Sequence, residues 1–351
     1  MIPAPARRDG DHGLDLAEAA LAGDRRALAR LLTEIEERTA AGEAALRRLY
    51  PLAGSAHLVG VTGAPGAGKS TLVAGLVGAA RRNGRPVAVL AIDPSSPITG
   101  GAILGDRVRM QVHARDRDVF IRSMAARGHA GGLAPATVGA AAALDAAGFP
   151  LIFVETVGTG QGEVEIAAIA DTTIVVQAPE MGDEVQAIKA GLLEVADLVV
   201  VNKADRPGAD RAAAQLRSML TVGAQHDRAA IESGRPRPKR PAVLLASALS
   251  GTGVDELLAA LDRRRATLSD GGAPLSTASP EREARARSQL NGILRERLEG
   301  RLAAPDLAVR TAAAVAAIAA HELDPYAAAD ALLEDLTSSR SKAADGAEAV
   351  G

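Results

Sequence analysis

Seven short apolar segments, most of them rich in β-branched residues, recur through the middle of the chain. Helix-like stretches or long polar loops separate them, and the segments are His57–Thr62, Val87–Asp93, Val119–Arg122, Leu151–Glu155, Thr173–Gln177, Leu198–Asn202 and Ala242–Ala246. Apolar runs of this length are typical of strands buried on both faces, as in a parallel sheet covered by helices. The pattern predicts an α/β fold with a doubly wound, mostly parallel sheet and helical extensions at both ends.

Helical spacing of apolar residues flanks this core on both sides. Residues 14–52 carry it before the first strand, with Asp24 as a predicted N-cap. Residues 281–336 carry it again, through Leu290, Leu294 and Leu298 among others. Because a sheet covered on both faces leaves these last helices no place, we expect them to pair two protomers as a homodimer.

The domain layout follows from these patterns. We expect a disordered N-terminus (1–13), an N-terminal helical extension (14–52), a core domain (53–268), a linker (269–280), a C-terminal helical dimerisation region (281–336) and a disordered tail (337–351). The Pro-punctuated basic segment 223–241 is expected to be a solvated surface loop, because no aromatic residues are interleaved with its charges.

Composition narrows the class of protein. The 351 residues include 40 basic and 43 acidic side chains, so a nucleic-acid partner or a polybasic membrane patch is not indicated. The absence of cysteine excludes a disulfide framework, a thiolate zinc site and a cysteine nucleophile. No apolar stretch reaches the ~18 residues of a membrane span, and no apolar signal core follows Met1. We therefore expect a cytoplasmic protein without a membrane partner.

A glycine-rich loop lies between the first predicted strand and the first core helix. It has the pattern G-x-x-x-x-G-K-[ST] of a P-loop and comprises Gly63, Ala64, Pro65, Gly66, Ala67, Gly68, Lys69, Ser70 and Thr71. The order strand, loop and helix aims backbone N–H groups at a polyphosphate. Lys69 would reach the β- and γ-phosphates, and the Ser70 hydroxyl would hold Mg²⁺.

The choice of base comes from a second motif. Asn202-Lys203-Ala204-Asp205 follows a strand, and Ser247-Ala248-Leu249 follows the last strand. The Asp205 carboxylate can accept from guanine N1–H and the 2-amino group, which adenine lacks, and an unsatisfied buried carboxylate costs ~1–3 kcal/mol. Asn202 would tie this loop to the P-loop, the Lys203 stem would lie over the base, and the Ala248 N–H would meet guanine O6. GTP and GDP are the predicted ligands.

A third motif, Glu155-Thr156-Val157-Gly158, ends the fourth strand. The Glu155 carboxylate would hold Mg²⁺, partly through water, and the Gly158 N–H would sense the γ-phosphate. Most small GTPases have Asp in place of Glu155. With the guanine motif intact, this glutamate resembles the P-loop GTPases that serve as metallocentre and cofactor chaperones.

Longer motifs carry a closer resemblance. They are Asp93–Ser96, Gly100–Met110, Phe120–Ser123, Gly131–Leu133, Val154–Gln161, Gly182–Gly191 and Asp324–Tyr326. From about Leu16 to Leu336 the chain resembles the methylmalonyl-CoA mutase-associated GTPases, the MeaB- and ArgK-like P-loop GTPase chaperones.

This resemblance implies a GTPase chaperone that gates adenosylcobalamin loading and protection of a B12-dependent acyl-CoA mutase. It also implies dimerisation through the C-terminal helices. Carried over by position, Asp93 and Asp106 would join Ser70 and Glu155 around Mg²⁺. The loop 178–191 would be a switch that couples nucleotide to client, with Asp183 and Lys189 as its actors.

The chain departs from many relatives at Thr159, Gly162 and Glu180, and the last of these bears on the switch contacts. In Ras-like proteins a glutamine at the position of Thr159 orients the attacking water. Threonine is too short for that role, and Gln161 lies two residues further on. We therefore expect slow hydrolysis that the partner stimulates, with Lys69, Glu155, Gln161, Asp183 and Lys189 as the candidate catalytic residues.

Two other functions remain open from the sequence. A metal-insertion GTPase is disfavoured because thiolate ligands are absent and the six histidines are scattered. A P-loop kinase acting on a small molecule would need no guanine motif, so Asn202 to Asp205 argue against it. His129 is expected to be a surface or hydrogen-bonding residue, and Asp183, Glu184 and Lys189 could instead form a solvated helix face.

Overall fold

The computed structural model of the protein describes residues 9–94, 111–113, 115–126, 134–156, 162–179, 193, 195–232, 241–269 and 280–348. The chain divides into two compact units, Met1–Gln289 and Leu290–Gly351.

The first unit is built on one sheet. Its seven strands are β1 His57–Gly63, β2 Val87–Pro94, β3 Val119–Ala126, β4 Leu151–Thr156, β5 Thr172–Gln177, β6 Leu198–Val201 and β7 Ala242–Leu245. They are all parallel, in the order β3-β2-β4-β1-β5-β6-β7. The predicted α/β class with a doubly wound parallel sheet is confirmed, and β1 lies at the centre between β4 and β5.

Eleven α-helices are described along the chain. They are α1 Asp9–Leu21, α2 Arg25–Glu37, α3 Ala40–Leu49, α4 Lys69–Arg82, α5 Ala134–Ala146, α6 Gly162–Ile169, α7 Ala209–Glu232, α8 Val254–Ser269, α9 Pro280–Leu302, α10 Pro305–Ala319 and α11 Pro325–Glu348. The Asp24 carboxylate accepts from the N–H groups of Arg26 at 2.8 Å and Ala27 at 3.2 Å, so the predicted N-cap of α2 is present.

Helices cover both faces of the sheet. Successive side chains of a strand point to opposite faces, so neighbouring residues pack against different helices. Val59, Val61 and Phe153 pack with residues of α4 and α8 on one face. Leu90 and Ile152 pack with residues of α1, α2, α3 and α5 on the other. The α4 face therefore receives the odd-numbered residues of β1, β2 and β4.

Several predicted boundaries change. Helix α1 begins at Asp9 and α11 continues to Glu348, so residues 9–13 and 337–348, expected to be disordered, are helical. Helix α7 continues to Glu232 into the predicted loop 223–241. Alanine, glutamine and arginine favour helix there, and the first proline comes only at Pro236. The first and last residues of the predicted linker 269–280 belong to α8 and α9, and its residues 270–279 lie outside the described part.

The second unit begins within α9 and contains α10 and α11. Several of its large apolar side chains are exposed, with Leu294 at 55%, Leu298 at 39% and Tyr326 at 84%. Among the described residues no single helix has the length and hydropathy of a membrane span. The pair Glu283–Leu302 and Pro305–Ala319, bent by 90°, passes that test only jointly.

Candidate nucleotide-binding site

The predicted P-loop joins the end of β1 to the start of α4, at the carboxyl edge of the sheet. Its glycines Gly63, Gly66 and Gly68 have positive φ of 133°, 74° and 88°. A Cβ on Gly63 would lie 2.1 Å from the Val176 carbonyl oxygen, and one on Gly68 would lie 2.5 Å from Asn202 Nδ2. Only glycine combines a positive φ with the absence of a Cβ. The backbone itself can therefore approach a ligand at the start of α4.

Lys69 and Ser70 are the first residues of α4, and both are buried. Lys69 Nζ donates to the carbonyl oxygens of Gly63 at 2.8 Å and Ala64 at 3.1 Å, which folds its side chain over the loop. The Ser70 hydroxyl donates to Glu155 Oε1 at 2.5 Å, although 85 positions separate the two residues. An ammonium group and a hydroxyl group therefore lie where the P-loop joins α4.

Two carboxylates lie at this edge on neighbouring strands. Asp93 of β2 and Glu155 of β4 are each 2% exposed, and Ala91 is the register partner of Glu155. Strand alternation directs both side chains to the α4 face, where Ser70 lies. Their hard oxygen atoms fit Mg²⁺, which needs only one or two carboxylates when phosphates and waters complete its shell. The described residues hold no group of three or more His, Cys, Asp or Glu suited to a metal.

The predicted base-reading residues meet beside the P-loop. Asn202 Nδ2 donates to the carbonyl oxygens of Ala67 at 2.9 Å and Gly68 at 3.3 Å, and Asn202 Oδ1 accepts from the Ala248 N–H at 3.1 Å. Asn202 therefore connects three segments that follow β1, β6 and β7. The Ala248 N–H, predicted to meet guanine O6, has this amide oxygen as its acceptor in the structure.

Asp205 is held by the segment that follows β7. The Ser247 hydroxyl donates to Asp205 Oδ1 at 2.5 Å, and Ser247 is itself buried. This hydrogen bond, followed by one from the Asp205 backbone, lowers the pKa of the Asp205 carboxyl below its ordinary value. The carboxylate is then ionised at neutral pH, the form that accepts hydrogen bonds.

The neighbours of these residues are exposed or strained. Lys203 adopts a left-handed backbone conformation with φ of 57°, and the Leu249 side chain is 87% exposed. A positive φ is costly for a residue with a Cβ, and strained backbone conformations of this kind are common at ligand sites.

Part of the predicted site lies outside the described residues. This applies to Asp106, Gly158, Gln161, Asp183 and Lys189, and also to His129 and the switch loop beyond residue 179. Their roles stay predictions.

One contact near the site has no signal in the sequence. Glu36 of α2 accepts from the Ala125 N–H of β3 at 2.9 Å and from Arg122 at 2.7 Å. A glutamate on the polar side of an amphipathic helix resembles any solvated surface charge, and nothing in its spacing indicates a strand as partner.

A cavity of about 380 Å³ lies near the amino ends of β1 and β4, at the opposite ends of these strands from the P-loop and Glu155. Leu58, Ala141, Asp145, Asp171 and Arg285 are among its lining residues. Asp145 accepts from Ser55 and Ala56, while Asp171 accepts from the Leu58 N–H and from Arg285. Because these carboxylates already bind partners within the protein, the cavity does not indicate a second ligand.

Comparison with known proteins gives consistent matches. A family model described as methylmalonyl-CoA mutase-associated GTPase MeaB matches residues 28–306. A Pyrococcus horikoshii protein, named provisionally as a GTPase, is 43% identical over 323 residues, which cover 92% of this chain and 98% of that protein. A fused isobutyryl-CoA mutase of Geobacillus kaustophilus is 39% identical over 215 residues, covering 58% of this chain and 19% of the mutase. The crystal structure of an LAO/AO transport system kinase has a TM-score of 0.67 at 27% identity, and the match covers 95% of this chain and all of that one.

Proposed function

The chain belongs to the family of methylmalonyl-CoA mutase-associated GTPases, and from this premise we propose that it is the chaperone of an adenosylcobalamin-dependent acyl-CoA mutase. As a member of this family it binds guanine nucleotide and hydrolyses GTP. In the proposed function, this GTPase cycle gates loading of the cofactor and protects the loaded enzyme. The observation that carries the proposal is the match to a segment of a fused isobutyryl-CoA mutase, since that protein combines a similar segment with a mutase in one chain.

In this proposal the P-loop and the base-reading corner bind opposite ends of GTP. The backbone N–H groups at the start of α4 would bind the phosphates, and Lys69 would exchange its two carbonyl contacts for phosphate oxygens. Asp205, oriented by Ser247, would accept from guanine N1–H and the 2-amino group. Guanine O6 would share the Ala248 N–H with Asn202.

We further propose that Mg²⁺ is part of this site. Ser70, Asp93 and Glu155 would hold it directly or through water, together with Asp106, which lies outside the described residues. The Ser70–Glu155 hydrogen bond supports this arrangement, because it brings a hydroxyl and a carboxylate together next to the loop. The ion would supply charge neutralisation for the β- and γ-phosphate oxygens.

Hydrolysis in the free protein would be slow. Thr159 takes the place of a water-orienting glutamine, and catalysis of phosphoryl transfer depends on positioning and charge. The missing group would come from the switch loop when the mutase binds, with Lys189 as the cation and Gln161 and Asp183 as further candidates. We also propose a homodimer paired through residues 281–336, located in the cytoplasm.

The test is the GTPase rate with and without candidate mutases that co-purify with the protein. We expect the cognate mutase to raise kcat about 10–100-fold, which requires about 1.4–2.7 kcal/mol of transition-state stabilisation. Lys189→Ala should lose most of this stimulation and still bind GTP, while Lys239→Ala, which removes the same charge elsewhere, should keep it. Absence of stimulation by every co-purifying mutase would refute the chaperone role, and full stimulation of Lys189→Ala would refute the role of Lys189.

A further inference from the structure

Helix α2 contacts β3 at both ends of the strand. At the amino end, the Arg25 guanidinium donates to the carbonyl oxygens of Arg117 and of Val119, the latter at 2.6 Å, and lies 5.3 Å from the centre of the Phe120 ring. At the carboxyl end, the Glu36 carboxylate accepts hydrogen bonds from Arg122 and from the Ala125 N–H. The helix therefore holds the strand through two charged side chains of opposite sign.

The carboxyl-end contact involves both oxygens of one glutamate. Glu36 Oε1 accepts from the Ala125 N–H at 2.9 Å, and Glu36 Oε2 accepts from Arg122 at 2.7 Å. Arg122 also donates to the Thr33 hydroxyl at 3.1 Å. The Glu36 and Arg122 side chains are only 12% and 21% exposed, so water screens this pair less than an ordinary surface ion pair.

Ala125 is the residue of β3 that lies directly beside Asp93. The register of the two parallel strands pairs Ala125 with Asp93 and Ala126 with Pro94. Since residues of a parallel strand direct their N–H alternately to either side, the Ala125 N–H that Glu36 binds points away from β2. Glu36 thus fixes the carboxyl end of β3 from its outer side, at the residue whose register partner on β2 is Asp93.

We infer that Glu36 is a positioning residue for the Mg²⁺ side of the nucleotide site, acting through Ala125 on the placement of Asp93. This inference rests on the proposed function, in which Asp93 helps to hold Mg²⁺. It gives the N-terminal helices a role in the nucleotide cycle, because α2 then sets how tightly the site retains the ion. Glu36 touches neither nucleotide nor ion in this role.

Arg25 provides the matched comparison. It lies on the same helix and contacts the same strand, but at the end where β3 pairs with Val87 and not with Asp93. A contact that merely stabilises the strand would make the two residues equivalent for nucleotide binding. A positioning role predicts that they differ.

The experiment measures dissociation of a fluorescent, non-hydrolysable GTP analogue at a series of free Mg²⁺ concentrations and in EDTA. For Glu36→Ala we expect the Mg²⁺ concentration that gives half-maximal retention of the analogue to rise about threefold to tenfold. Loss of a residue that hydrogen-bonds directly to a metal ligand typically costs about 10–100-fold, and Glu36 acts less directly. The dissociation rate in EDTA should not change. Arg25→Ala should leave the Mg²⁺ midpoint within twofold of the parent.

Each outcome decides the inference. An unchanged midpoint in Glu36→Ala, or an equal shift in both variants, would overturn it. If Glu36→Ala does not fold, Glu36→Gln replaces it, because the amide can satisfy Ala125 or Arg122 but not both, and a smaller shift in the same direction is expected. If the parent itself shows no Mg²⁺ dependence, the proposed Mg²⁺ site fails first, which separates that failure from this one.

Discussion

Asp205 and Ser247 are 42 positions apart and meet at one hydrogen bond of 2.5 Å. The sequence motifs predict both residues at the base, because reading guanine needs a carboxylate after one strand and a backbone donor after another. They do not predict that the Ser247 hydroxyl donates to one oxygen of the Asp205 carboxylate. That contact is a property of the folded loops.

A substitution at Asp205 tests the proposed role of its carboxylate in reading the base. In Asp205→Asn the carbonyl oxygen can keep the Ser247 hydrogen bond, so the new amide nitrogen would face the base. A donor there suits the 2-oxo group of xanthine and opposes the 2-amino group of guanine. We expect GTP affinity to fall roughly 10–100-fold and xanthosine triphosphate affinity to rise, measured by titration with fluorescent analogues.

The control for that titration is Asp210→Asn, which makes the same charge change in the first turn of α7. It should bind GTP like the parent. If Asp205→Asn also binds GTP as tightly as the parent, Asp205 does not select the base.

At the scale of elements, α1, α2 and α3 pack closely because small residues lie where they touch. A Cβ on Gly13 would lie 2.0 Å from the Ala41 carbonyl oxygen, and one on Gly42 would lie 2.4 Å from that of Glu34. Both obstacles are backbone atoms, which cannot rotate away as a side chain can. Glycine at these positions therefore determines how near α1 and α2 come to α3.

Gly13→Ala should destabilise the protein by about 1–3 kcal/mol, because the added methyl must push the two helices apart. Gly10→Ala on the same helix is the matched variant, since its Cβ would meet only Ala44 Cβ at 4.0 Å. There the better helix propensity of alanine should leave stability equal or up to ~1 kcal/mol higher. Urea unfolding midpoints measure both, and equal midpoints for the two variants would contradict the packing argument.

Elements also show where prediction from sequence ends. The predicted strand at Val119–Arg122 continues to Ala126, because β2 pairs with it throughout and pairing outweighs the weak strand propensity of Ser123 and its neighbours. The contact between Glu36 and Ala125 spans 89 positions and joins a helix to a backbone N–H. Local sequence patterns carry no information on such a distant pair. The P-loop, in contrast, can be predicted from sequence because binding a phosphate requires its residues at a fixed local spacing.

At the scale of the whole molecule, the C-terminal helices expose apolar side chains that the proposed homodimer would cover. On α9, Leu290, Leu294 and Leu298 are spaced by four residues and are 56%, 55% and 39% exposed. Such a stripe lies on one face of a helix and is characteristic of a surface that binds another helix.

Leu294→Glu should convert the dimer into a monomer, because a buried unpaired charge strongly opposes association. Static light scattering gives the mass, and binding of labelled GTP should be retained. Ser288→Glu adds the same charge at an exposed polar position of the same helix and should remain dimeric. A Leu294→Glu protein that is still dimeric would place the interface elsewhere.

The position of α2 along β3 has one more consequence. β3 is the terminal strand of the sheet, and a terminal strand with unpaired N–H and C=O groups can be extended by a strand from another molecule. Arg25 and Glu36 bind the outward-facing carbonyl of Val119 and N–H of Ala125, so α2 lies where an added strand would pair. Helix α2 thus blocks the addition of a strand at this edge of the sheet. A shortened protein that begins at residue 53 would lack α1, α2 and α3 and would expose this edge of the sheet.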